Sequence, residues 1–490
     1  MQLIFLVMFL CMSCEKSNIL NMSMTPLKRG TVMDPSRIYF LNEYYLIENL
    51  TVRLVEMDAK SGYKLMLASS IDQKSDTEYV VKLKKTSFSN GEMITVDDVR
   101  DSLLRAKNNT NSHVPFSEIV QSITSEKDSL RIILKKRVND FLYFLTLADL
   151  SILHKSQVTK SELIVEDWEK VSSGPFYYSV VGEDVFLIKN PYYNLSSLNY
   201  PGKIKIISAR ERDTFNDFEE NLVDIGEFNL NSYEKHLAEL NNVSSLHVIG
   251  NNGDMINYFA LNADHPKFKK EYNRQWIQKK ILLSYELDPK YNTVARKAFQ
   301  FFTPFVKGFA EERRIIEEVK SWTHVNTLVV PDELKDGLVI STYQRAFEVS
   351  LRGAFSSLEK VLGIPVKIEA NVPSTEFESF INKRKFESFL GITSMDQVIV
   401  GESINLYYFS SSPMFKDVNK KIRKLMDMYQ HSNPSETIGI VNEIAVQMIK
   451  DSECVPVFYV ASPFFYNKNK LDVSGLDEMT YFNLWKIKVL

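Results

Sequence analysis

The chain has 490 residues, with 59 basic against 62 acidic side chains and a formal net charge of −3 at pH 7. It is long enough to bury a large core in two or three domains, and too evenly charged to carry the basic footprint of a nucleic-acid binder. Three cysteines exclude a disulfide framework, and after the extreme N-terminus no apolar run reaches the roughly eighteen residues needed to span a membrane. Met1 to Leu10 is nearly all apolar and gives way to Cys11-Met12-Ser13-Cys14 and then to polar Glu15 to Asn18, the shape of an export signal. Residues 15–30, small and polar, are expected to form a tether. Tyr79, Val81 and Leu83 alternate with Val80, Lys82 and Lys84, the period of a strand with one wet face. Ser89-Asn90-Gly91 follows as a turn. Thr95 then stands as a helix N-cap with Asp98 three residues on, and Val96, Val99, Leu103 and Ala106 share one helical face.

Further along, Ser129 to Lys135 alternates as a strand, Phe141 to Ile152 is an apolar helix-like run, and Val185 to Asn190, Ile204 to Ile207 and Leu328 to Val330 are strands. Phe347 to Val361 has helical spacing. Cys454 begins an apolar run through Val460 and reads as a small buried hydrophobe rather than a nucleophile. No internal repeat or low-complexity stretch is present.

Several of these punctuated phrases also resemble, in order, those of the family 5 extracellular solute-binding proteins, the oligopeptide- and dipeptide-binding receptors of bacterial ABC importers. Phe88-Ser89-Asn90-Gly91 followed by Thr95-Val96-Asp97-Asp98-Val99 is similar to the family's strand, turn and helix phrase. Asp34-Pro35 with Glu48-Asn49-Leu50 resembles its opening, with Asn49 at the usual Gly. Leu67-Ala68-Ser69-Ser70, Ser172-Ser173-Gly174-Pro175-Phe176, Asn190-Pro191-Tyr192-Tyr193 and Leu362-Gly363-Ile364-Pro365-Val366 resemble later phrases. Phe218 to Ile225 resembles a further helix element, with Asn221-Leu222 in place of Gly-Glu. The resemblance runs from about Val32 to the C-terminus and is weakest between Lys267 and Ser321.

The resemblance implies an α/β, two-lobed periplasmic-binding-protein fold, type II in its three-domain variant, with discontinuous domains joined by two hinge strands. The expected boundaries are a signal peptide with a lipobox-like end at 1–14, the tether at 15–30, lobe I at 31–54, 171–260 and 462–490, a small additional domain at 55–170, and lobe II at 261–461. Asn257 to Asn262 and Val455 to Ala461 are the expected hinge strands, and Asn483-Leu484-Trp485 resembles a closing strand of lobe I. Ser13-Cys14 after the apolar run resembles a lipobox, in which Cys14 is acylated; a plain cleaved signal and a short uncleaved anchor are the alternatives.

Chemistry for catalysis is sparse. There is no G-x-S-x-G, no H-E-x-x-H and no phosphate-cradling glycine loop, and the seven histidines are scattered. No enzyme activity, cofactor or metal is therefore expected. The resemblance places Tyr258 and Tyr459 on the lobe-connecting strands at the cleft, with Asn262 and Thr393 beside them as candidate ligand residues. Peptide receptors of the family tend to carry G-W-x-x-D-Y, whose Asp receives the ligand's α-amino group; here the run is Gly391-Ile392-Thr393-Ser394-Met395-Asp396. Ile392 replaces the Trp, and Asp396 is displaced by one residue. The expected function is an exported, lipid-anchored, monomeric receptor that captures a peptide or peptide-like solute and delivers it to a membrane permease. A degenerate receptor acting as a sensor or surface interaction protein, a receptor for an oligosaccharide or other non-peptide solute, and a hydrolase on the same fold are the alternatives.

Overall fold

The computed structural model describes residues 19–490 except 25–32, 37, 39–40, 59–61, 110–115, 140, 159–167, 170, 197–198, 209–212, 228–233, 237–238, 240–242, 250–254, 293, 303–310, 344–351, 373–379, 381–382, 395–419, 433, 461–463 and 477–481. The signal-like segment and Cys14 lie outside the described residues.

The chain enters as β1 (Ile19–Met24). Helix α1 (Leu41–Leu50) and the hairpin of β2 (Val55–Asp58) and β3 (Gly62–Leu65) lead into β4 (Ala68–Ser75), β5 (Glu78–Leu83), α2 (Val96–Asn108), β6 (Val120–Glu126) and β7 (Ser129–Leu134). Then come β8 (Phe176–Val181), β9 (Asp184–Lys189), β10 (Lys203–Ser208), α3 (Thr214–Glu219), β11 (Ile225–Glu227) and β12 (Leu246–Ile249). The next stretch comprises β13 (Met255–Leu261), α4 (Glu271–Ser284), β14 (Ala295–Lys297), α5 (Glu312–Ser321), β15 (Leu338–Tyr343), α6 (Leu358–Leu362), β16 (Val366–Val372), β17 (Ser388–Ser394), α7 (Lys420–His431), α8 (Pro434–Asp451) and β18 (Cys454–Val460), and β19 (Phe464–Asn467) follows.

Two mixed sheets divide these strands. Lobe I has the order β12-β19-β11-β1-β10-β9-β8 and lobe II the order β14-β18-β13-β17-β15-β16, while β4-β5-β7-β6 form a separate antiparallel sheet in the small domain. Strand β1 runs parallel to β10 and β11, and β15 runs parallel to β16 and β17.

Local chemistry explains the elements that the sequence announced. The β5 strand buries Tyr79 and Val81 on one face. The Thr95 hydroxyl accepts from the Asp98 backbone N–H, and the Asp98 carboxylate accepts from the Thr95 N–H, so two of the backbone donors at the start of α2 are satisfied. Val99, Leu103 and Ala106 are fully buried on the inner face of α2.

Four expectations are corrected. Ile19–Met24, placed in the tether, is a strand in the middle of the lobe I sheet, because Leu20, Met22 and Met24 alternate and are buried while the Asn21 N–H donates to Asp224. Phe141 to Ile152 is broken into a helical turn at Phe141–Phe144 and a 3₁₀ turn at Ala148–Leu150: the Thr146 carbonyl accepts from the Arg53 guanidinium and the Ile152 N–H donates to the Val52 carbonyl, so partners distant in sequence replace helical ones. Leu328 is 92% exposed in a turn, not a strand, because the Asn326 side chain caps its N–H. Leu484–Lys486 is a 3₁₀ turn rather than a strand, since Asn49 accepts from the Leu484 N–H and donates to the Phe482 carbonyl.

One continuous apolar core joins the small domain to lobe I, with Tyr79, Leu103 and Phe141 in the same cluster as Leu20, Ile204 and Tyr466. A second core fills lobe II and also takes in Phe215, Phe218, Val223, Leu246 and Phe465. The two-residue period of β19 accounts for this division: Phe464 and Tyr466 face the first core, Phe465 the second.

Candidate ligand-binding cleft between the lobes

The lobes are joined twice, where β12 passes to β13 and where β18 passes to β19. Both β13 and β18 lie wholly within the lobe II sheet. The crossings therefore fall between Ile249 and Met255 and between Val460 and Phe464, not along the expected hinge strands. A pairing ladder explains this: β13 is bonded along its length to β17 and β18, leaving none of its backbone to lobe I.

Strand direction then fixes where a ligand can sit. Met255 pairs with both Ser394 and Val460, and Ala295 pairs with Val460, so these residues form one edge of the lobe II sheet. The parallel strands β15, β16 and β17 all end toward that edge. In lobe I, Glu227 and Ile249 both pair with Phe464, which puts the C-terminal ends of the parallel strands β1, β10 and β11 beside the crossings. Each lobe thus turns the carboxyl ends of its parallel strands to the same two crossings, the position at which open α/β sheets take ligands. The segments that follow these strand ends include 25–32, 209–212, 228–233, 344–351, 373–379 and 395–419, all outside the described residues.

The expected site residues are distributed differently. Tyr258 is 1% exposed, and its ring lies across Gly391 on the neighbouring strand. Tyr459 is 0% exposed and donates its hydroxyl to the Gln300 carbonyl at 2.7 Å and the Phe302 carbonyl at 2.8 Å, with the Arg296 guanidinium 5.0 Å from its ring. Burial pushes both phenols well above the ordinary tyrosine range. Neither ring is open to a ligand in this structure. Asn262 is structural: its amide donates to the Arg384 and Phe386 carbonyls, and its oxygen accepts from the Asp264 N–H. Thr393 pairs with Ile256 in the ladder near the cleft edge. Asp396 lies outside the described residues. Cys454 is fully buried, and burial pushes its thiol well up.

Asn257, which sequence reasoning used only to bound a hinge, is the more informative residue. It is 1% exposed on β13, two positions in from the cleft edge, and among the described residues neither its amide nitrogen nor its amide oxygen has a hydrogen-bond partner. Its strand pattern reads as core, so only the polarity of the side chain signalled it.

Polar contacts also cross between the lobes. Glu234 accepts from the Tyr291 hydroxyl and, at 3.5 Å, from the Gly353 N–H. Two residues on, His236 is held between Asp213 at 2.7 Å and Glu239 at 2.6 Å and stacks on Phe215. Burial lowers the His236 pKa, but the hydrogen bonds to Asp213 and Glu239 outweigh it, and the net shift is upward. Among the described residues no group of three or more His, Cys, Asp or Glu side chains is placed to hold a metal ion.

Two open sheets joined by two crossings, with the strand ends of both lobes facing them, define a two-lobed α/β fold with an inter-lobe cleft. Solved structures share that fold over nearly the whole chain. A dipeptide binding protein from Pseudoalteromonas sp. SM9913 in complex with Met-Leu has a TM-score of 0.78 at 14% identity, covering 96% of this chain and 100% of that one. The periplasmic binding protein DppA from Helicobacter pylori, in complex with the peptide STSA, has a TM-score of 0.75 at 17% identity over 96% and 98%. NikA from Staphylococcus aureus, in complex with Ni(L-His)2, has 0.71 at 16% over 96% and 99%. No curated protein sequence matches the chain. Residues 62–280 match the family described as bacterial extracellular solute-binding proteins, family 5 middle.

Proposed function

We propose that the chain is the exported receptor of an ABC importer, anchored through a lipidated Cys14, that takes up a peptide or peptide-like solute between its lobes and presents it to a membrane permease. It acts as a monomer and catalyses nothing itself; hydrolysis of ATP belongs to the transporter. The observation that carries the reading is the convergence of both lobes' parallel-strand ends on the two crossings, because a solute held there touches both lobes only when they close. The peptide assignment is supported by the family and by the peptide ligands of two structures with the same fold.

A desolvated α-ammonium needs a carboxylate, and Asp396 is the acid nearest the family's position for it. Native mass spectrometry of the freshly purified protein should reveal a co-purified peptide. Calorimetry with that peptide should then show Asp396→Ala weakening binding by about 2–5 kcal/mol, and N-acetylation of the peptide weakening binding to the wild type. A co-purified sugar or metal chelate would refute the peptide assignment while leaving the receptor reading in place. Unmodified Cys14 in membrane-associated protein would refute the anchor.

A further inference from the structure

The small domain shares its core with lobe I, so the two move together, yet it also touches lobe II. Just after β7, Asn139 donates its side-chain amide to the Tyr429 carbonyl at 2.5 Å, the Ser432 carbonyl at 3.0 Å and the Ser432 hydroxyl at 3.4 Å. Three residues earlier, Lys136 pairs with Asp427 at 3.1 Å. The acceptors belong to the last turn of α7 and the residue after it, where the Tyr429 carbonyl also accepts from the Ser432 N–H and hydroxyl. One amide from the small domain therefore bridges two carbonyl acceptors at the C-terminal end of a lobe II helix.

Resting on the two-lobed receptor reading, we propose that Lys136 and Asn139 are a clasp that holds the closed state: the small domain latches lobe II through the end of α7, independently of any ligand. The chemistry suits a reversible catch. The Lys136–Asp427 pair is more than half exposed on both sides, and Asn139 is half-buried. On opening, water replaces each of these polar bonds without stranding a buried charge. An apolar seam of the kind that joins the small domain to lobe I would not part so easily.

The test reads closure by single-molecule energy transfer in full-length protein without ligand, with dyes at Lys127→Cys in the small domain and Lys424→Cys on α7. Cys11→Ser and Cys14→Ser remove competing thiols, and the fully buried Cys454 stays unlabelled. Asn139→Asp keeps the shape, removes the donor and sets a carboxylate against the negative end of α7; it should lower the closed-to-open ratio by about tenfold. Lys136→Asp should lower it about two- to fivefold, and Asp427→Lys in the same chain should restore it. Melting temperatures of the single variants should stay near wild type. An unchanged ratio in Asn139→Asp, or a fall accompanied by global loss of stability and no rescue in the charge swap, overturns the clasp. Trialanine added to the labelled wild type tests the peptide reading separately: no shift there counts against peptides, while the ligand-free comparison still decides the clasp.

Discussion

Substituting Gly391 by Ala should destabilise lobe II through a single neighbour. A Cβ built there would lie 2.2 Å from Tyr258 Cζ, 2.3 Å from its hydroxyl and 2.7 Å from Cε1. With Tyr258 1% exposed, the ring has no free space to swing into, so the added methyl must be absorbed by distorting β13 against β17. Overpacking of this kind costs about 1–3 kcal/mol. Tyr258→Ala alone removes a buried ring, for about 3–5 kcal/mol. In the double variant the ring is gone and the methyl enters vacated space, so the two costs should fall short of their sum by about 1–3 kcal/mol. Urea unfolding followed by tryptophan fluorescence measures this, because Trp276 and Trp322 both sit in the lobe II core. Additivity within about 0.5 kcal/mol would refute the packing account. It would mean that Tyr258 turns freely toward the cleft, as the sequence alone suggested.

Asn257→Leu should raise the stability of the ligand-free protein by about 1–3 kcal/mol, since both polar atoms of the buried amide lack partners among the described residues; a lower melting temperature would show that the amide is satisfied by another group. His236 gains its charge more readily when folded. Its contribution is therefore fully present below its unfolded pKa near 6.5 and is lost as pH rises through the higher folded value. Unfolding free energy measured across that range should fall in the wild type but not in His236→Gln, and equal slopes would refute the assignment of the effect to this residue. Asp34→Ala removes the carboxylate paired to the Arg105 guanidinium, 3% exposed, while the Ser36 hydroxyl still accepts from it, and should cost about 3–5 kcal/mol by thermal or chemical unfolding; Arg105→Met in the same chain should recover most of that loss.

What could be read from the sequence was local. Thr95 and Asp98 cap a helix because the two partners lie one turn apart, and Gly363 stops α6 because it takes a left-handed φ of 71°. Cys454 was legible as core from its neighbours alone. Failures arose where a distant partner decided the outcome. Ile19–Met24 alternates apolar Leu20, Met22 and Met24 with polar Asn21 and Ser23, but beside the signal-like segment those small polar residues read as tether until β10 and β11 are seen on either side. The rings of Tyr258 and Tyr459 were assigned to the cleft by position, whereas Gly391 and the Gln300 and Phe302 carbonyls hold them inward. The orphaned Asn257 amide has no sequence signature, because an Asn within an apolar strand looks the same whether or not a partner meets it.

The two attachments of the small domain differ in kind, and that difference limits how the molecule can move. Toward lobe I the small domain contributes Tyr79, Leu103, Phe141 and their neighbours to one dry core, and separating such surfaces costs about 25 cal/mol per Å² of apolar area exposed. Toward lobe II it offers the Asn139 amide and the Lys136 ammonium, whose bonds water can replace at little net cost. Near the crossings the situation is intermediate, since Phe215, Phe218 and Phe465 of lobe I pack into the lobe II core. Opening should therefore keep the small domain and lobe I as one body, break the polar contacts at α7 first, and pivot on the aromatic packing beside the crossings. The residues that set the position of this equilibrium are then those at the polar contacts, where a single side chain is a large share of the whole interaction.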